Sequence, residues 1–129
     1  MDLLAIRNAL AEAGAAAGDL DSLPYIPASI APPTLAVGRM QLTYDETFGG
    51  LASAAVTVHA FASLADGQQG QEDLLPLLDP SGVKAALEAD RTLGGACQEL
   101  RVESADGPGF AEVMGQSYWS ATWTVRVWA

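Results

Sequence analysis

Apolar residues recur along this chain with two different periods, and the change of period divides it into elements. Leu3, Ile6, Leu10, Ala13 and Ala17 fall at three- and four-residue spacing, with Arg7, Asn8 and Glu12 off the stripe. That spacing predicts an amphipathic helix over residues 3–17. Asp2 is placed to cap its start, and Gly14 or Gly18 to close its end. Pro24, Pro27, Pro32 and Pro33 follow. Proline lacks a backbone donor and collides with the preceding helical turn, so a helix is excluded there. A short edge strand around residues 23–26 and an extended connection are expected instead. Residues 35–44 alternate as a strand does. Residues 54–64 alternate more strictly, with Val56, Val58, Ala60 and Ala62 on one face and Thr57, His59, Phe61 and Ser63 on the other.

The second half begins with a helix expected over residues 67–79, with Leu74, Leu75, Leu77 and Leu78 packing inward. Pro76 sits among them. An interior proline costs about 3 kcal/mol, so the helix is expected to kink or restart there. Ser81 is placed to cap a further helix in which Val83 and Leu87 are i,i+4 partners, and Gly94 suits its end. A strand over residues 97–103 sets Leu100 and Val102 against Arg101 and Glu103. Asp106-Gly107-Pro108-Gly109 has the composition of a chain reversal. In the last strand Trp119, Ala121, Trp123, Val125 and Val127 line one face, and Tyr118, Ser120, Thr122, Thr124 and Arg126 the other. This predicts an α+β domain whose sheet has one dry and one wet face, with helix 3–17 packed on the face of Trp119, Trp123 and Val125.

Composition narrows the possibilities. A chain of 129 residues, half of them apolar and 17% charged, suits a single domain over residues 1–129 and excludes disorder over most of its length. Much of the apolar content is alanine, so Phe48, Phe61, Phe110, Trp119, Trp123 and Trp128 carry much of the weight. The formal charge of −10 argues against binding nucleic acid, because phosphate contacts need clustered Lys and Arg. It favours solubility, or a surface that stays beside DNA without adhering to it. The single Cys97 excludes an internal disulfide and reads as a small buried hydrophobe. The N-terminus has no signal-peptide pattern and no segment approaches a membrane span, so a soluble protein made in the cytoplasm is expected.

Candidate chemistry is sparse. His59, the only histidine, lies inside a strand, and no G-x-S-x-G elbow is present. The pairs Asp19 with Asp21 and Glu72 with Asp73 lack the ligand density of a calcium loop. Gly67-Gln68-Gln69-Gly70 and Leu93-Gly94-Gly95 lack the Lys-Ser or Lys-Thr of a phosphate loop. No catalytic, cofactor-binding or metal residue is therefore assigned. Exposed aromatics dominate interfaces, which makes Phe48 beside Gly49 and Gly50, and Trp128 at the C-terminus, candidate assembly contacts.

Taken in order, these elements resemble the tail terminator family of long-tailed, siphovirus-type bacteriophages. The resemblance spans nearly the whole chain and is carried by order and spacing. Its parts are the first helix, the stretch from Tyr25-Ile26-Pro27 to Pro32-Pro33, and the strands over residues 35–44 and 54–64. The Leu-rich helix, the block from Val83 to Asp90 leading to Leu93-Gly94-Gly95, and the final strand after Gly115-Gln116-Ser117-Tyr118 complete it. Pro76 departs from the pattern and puts the length of its helix in question. The resemblance implies a mostly antiparallel sheet with helices packed on one face. It also implies a homohexameric ring, without cofactors, that caps the tail tube, stops its polymerisation and forms the head-proximal joining surface. Its partners would be further copies of itself, the tail tube protein and head–tail connector proteins. DNA would pass through an acidic lumen without specific binding, with no membrane involved, in a virion tail assembled in the host cytoplasm. The alternatives are a head–tail connector or minor tail protein, or a small α+β enzyme using Asp45 or Asp90 with His59.

Overall fold

A computed structural model describes residues 2–44 and 52–128. Their order is α1 (Leu3–Gly14), β1 (Asp21–Leu23), β2 (Thr34–Thr43), β3 (Ser53–Ser63), α2 (Gln68–Leu78), α3 (Val83–Glu88), β4 (Glu99–Val113) and β5 (Gln116–Trp128). The strands form one sheet in the order β1-β2-β3-β5-β4. Only β1 and β2 run parallel, and the other pairs are antiparallel. The fold is α+β, and the mostly antiparallel sheet and helical layer are as expected. No helix of the described residues is long and apolar enough to cross a membrane.

The alternation read from β3 and β5 is the alternation that is buried. Ala54, Val56, Val58, Ala60 and Ala62 of β3, and Ala121, Trp123, Val125 and Val127 of β5, face one core with Ile6, Leu10, Leu74, Val83 and Leu87 of the helices. Each of the larger side chains there contributes about 1.5–3 kcal/mol through burial. α1 lies on the expected face of the sheet, although not directly over β5. α1 packs across β1 and β2 and against α3, while α2 lies over β3, β5 and β4. At its start, the Asp2 carboxylate accepts the Ala5 N–H at 3.1 Å. The Arg7 guanidinium donates to the Pro24 carbonyl and the Ser22 hydroxyl to that of Ala11, which tie α1 to the segment that follows it.

Several local expectations are corrected. α1 stops at Gly14, and a 3-10 turn, Ala15–Ala17, finishes the helix. The edge strand β1 precedes the first proline rather than including it. α2 does not restart: it runs through Pro76, in its last turn, to Leu78, so the missing N–H forfeits one helical bond without ending the helix there. Four leucines within five residues cannot all face inward when each residue turns by about 100°. Leu74 is buried, Leu77 and Leu78 pack at its flank, and Leu75 is 51% exposed. Ser81 does not cap α3. Its N–H and hydroxyl bind the Asp79 carboxylate, and Gly82 takes the N-cap position. Gly107 and Pro108 do not reverse the chain. β4 runs through them with a register shift between Asp106 and Gly109, and the reversal is the pair Met114-Gly115, with φ of 51° and 82°. Two successive positive φ values suit the twist of a two-residue hairpin.

The back of the sheet is only half wet. Ile30, from the proline-rich connection, packs with Ala36, Phe61 and Tyr118 as a second small core, flanked by Ala111 and Val113. The Tyr118 ring meets Phe61 edge-on at 5.8 Å.

Candidate functional site

His59 lies on the back face of β3, beside Ala36 of β2 and Thr122 of β5. Its ring stacks on Phe61, with centroids 5.8 Å apart and planes 9° from parallel. It also lies over Gly38, where an added Cβ would come within 2.7 Å of Nε2. The imidazole can therefore lie against the sheet only because position 38 has no side chain. Burial pushes its pKa below the ordinary value, so the ring is neutral at pH 7.

Asp90 is not brought to His59. It sits in the α3–β4 connection on the helical side, near Glu12 and Ala13. Its carboxylate accepts the hydroxyl and N–H of Thr92 and the N–H of Gly94, and these bonds lower its pKa. Asp45 lies outside the described residues. The Cys97 thiol is buried, and burial, helped by the charges of Asp90 and Glu99, raises its pKa, which leaves it a protonated, poor nucleophile. Glu72 and Asp73 each accept a bond from the glutamine four residues earlier, Gln68 and Gln69. Among the described residues no three His, Cys, Asp or Glu side chains are grouped to hold a metal ion.

Of the candidate assembly contacts, Phe48, Gly49 and Gly50 lie outside the described residues. Trp128 is half-buried at the end of β5, paired with Ser53 and Glu99, and its carbonyl accepts the Gln98 N–H at 2.9 Å. Its backbone is paired on both sides, and its side chain stays partly exposed. Apolar groups that do project include Leu4, Tyr44 and, on the β4–β5 hairpin, two close neighbours. Phe110 is 65% exposed and Met114 77%. Phe110 stands edge-on to Trp119, with centroids 6.3 Å apart, and the Trp119 Nε1 is buried without a partner among the described residues. Sequence reasoning placed Phe110 with the core aromatics. Continuing the strand alternation past Pro108 would have put it opposite Trp119 at the open margin.

One charged group organises the margin of the sheet. The Glu88 carboxylate, at the end of α3, accepts the Lys84 ammonium and, at 2.9 Å, the backbone N–H of Val102, with Arg91 at 3.7 Å. Desolvation raises its pKa, but those bonds together with the Lys84 and Arg91 charges outweigh it and hold the carboxyl below its ordinary value. On the back face Arg126 binds Glu103 at 2.8 Å and the Ser53 hydroxyl at 3.2 Å. No protein-family model matches the sequence, and no curated protein matches it.

Proposed function

We propose that this chain is a structural virion protein that caps a phage tail tube, stops its polymerisation and forms the head-proximal joining surface. The observation that carries the reading is the order of elements along the chain. A first helix, a proline-rich crossing, a strand pair, a Leu-rich helix, a short helix and a final long strand follow one another as in the tail terminator family. The local chemistry agrees in kind, since His59 is packed flat on Gly38 and Phe61, and Asp90 binds its own loop. Six copies would close a ring at the head-proximal end of the tail, after assembly in the host cytoplasm, and meet the tube protein on one side and connector proteins on the other.

Deleting the gene from the virus that carries it tests the reading directly. Overlong tails without heads are the expected particles in electron micrographs. Tails of normal length would exclude a terminating role. Negative-stain images of the concentrated protein should show six-fold rings.

A further inference from the structure

We infer that copies of this chain join edge to edge, the outer edge of β4 in one copy pairing with the outer edge of β2 in the next. This rests on the ring reading and names the surface that would build the ring. Both edges are open. β1 covers β2 only at residues 34–36, and Arg39, Gln41 and Thr43 beyond it are exposed. On β4, Glu88 occupies the N–H of Val102, whereas residues 103–107 are exposed. Among the described residues no segment other than β5 bonds the backbone of that stretch. An unpaired strand edge is a template for another chain.

The strand directions suit unlike edges. Because β2–β3, β3–β5 and β5–β4 are all antiparallel, β2 and β4 run in opposite senses at the two sides of the sheet. Placing one copy beside the next in the same orientation therefore continues the antiparallel alternation. Such a head-to-tail contact uses two different surfaces, and contacts of that kind generate a ring when the rotation from copy to copy closes.

Charge selects the same partner. Arg39 is exposed at the β2 edge and has no ion-pair partner among the described residues. The open stretch of β4 carries Glu103 and Asp106, with Glu112 further along. Pairing β4 with β4 would set these carboxylates against their own copies, and like charges facing across strands are destabilising. Pairing β4 with β2 brings them to Arg39. Glu88 on one side, and Pro108 with its register shift on the other, confine the joint to a short stretch.

Amide hydrogen exchange on dilute monomer and concentrated oligomer tests the joint. Amides in residues 39–43 and 103–106 should slow by tenfold or more on assembly, together. Rings in which both stretches still exchange freely would overturn the edge joint while leaving the ring reading standing. A two-fold dimer protecting β4 alone would overturn it as well, as would a chain that stays monomeric at every concentration. Arg39→Glu should raise the concentration needed for assembly at least tenfold, with an unchanged circular dichroism spectrum. Unaltered assembly of that variant would count against the proposal.

Discussion

His59 and Glu88 both make the fold less stable toward acid, each over its own pH range. Burial lowers the His59 pKa, so the unfolded chain takes up its proton first. Stability is therefore lost as pH falls below about 6.5 toward the folded pKa, and then levels off. Glu88 is held below the ordinary carboxyl value, so its contribution is present above that value and is lost as pH falls through the folded one. Urea unfolding followed against pH should show both slopes. His59→Ala is expected to remove the slope below pH 6.5 and leave the acid one. Glu88→Gln should flatten the acid slope, to which Asp79 and Asp90 also contribute, and cost about 1–3 kcal/mol at pH 7, because Lys84 and Arg91 lose their carboxylate. Neither role was visible in the sequence. Only the fold brings the Val102 N–H to Glu88, from fourteen residues along the chain.

At the scale of elements, period carried most of the information and punctuation misled. β3 and β5 were legible because alternation is a local property of a strand packed on one face. The Gly107-Pro108-Gly109 run was misleading because its composition suits a turn and a strand irregularity equally well. What decides between them is pairing with β5, which composition does not encode. The joint between α2 and α3 was equally hidden. An added Cβ at Gly82 would lie 2.4 Å from the Pro76 carbonyl oxygen and 2.5 Å from that of Leu77, both backbone atoms. Gly82→Ala should therefore push the two helices apart and destabilise by about 1–3 kcal/mol, seen as a lower urea midpoint. Of the assembly contacts read from the sequence, Trp128 is a sheet residue, and the exposed hairpin apolars went unnoticed.

Across the whole molecule, charge and core are segregated. Glu12, Asp19, Glu72, Asp73, Asp79 and Asp90 sit on helices and their connections, all exposed. The back face carries Thr57, His59, Thr122, Thr124 and the Arg126–Glu103 pair, and β4 adds the exposed Asp106 and Glu112. In the proposed ring, an inward-facing helical side would give the lumen these six helical-side carboxylates. A cryo-EM map of the ring checks this by showing which face lines the channel. The core joins all layers at Trp123, which is 1% exposed between β3 and β4. Trp123→Ala should cost about 3–5 kcal/mol in equilibrium unfolding, a large share of the stability of a domain this size.

The strand order also carries a consequence for how fast the chain folds. β2 with β3, and β4 with β5, are neighbours in sequence, whereas β3 meets β5 only across the intervening helical segment. Closing that long loop costs entropy before any contact repays it. The two hairpins are thus expected to form early and to dock late, with docking as the slow step. Val58, which faces Trp123 across the seam, should report on it. Val58→Ala should slow refolding, whereas a change confined to the hairpin tip, such as Met114→Ala, should leave the refolding rate unchanged.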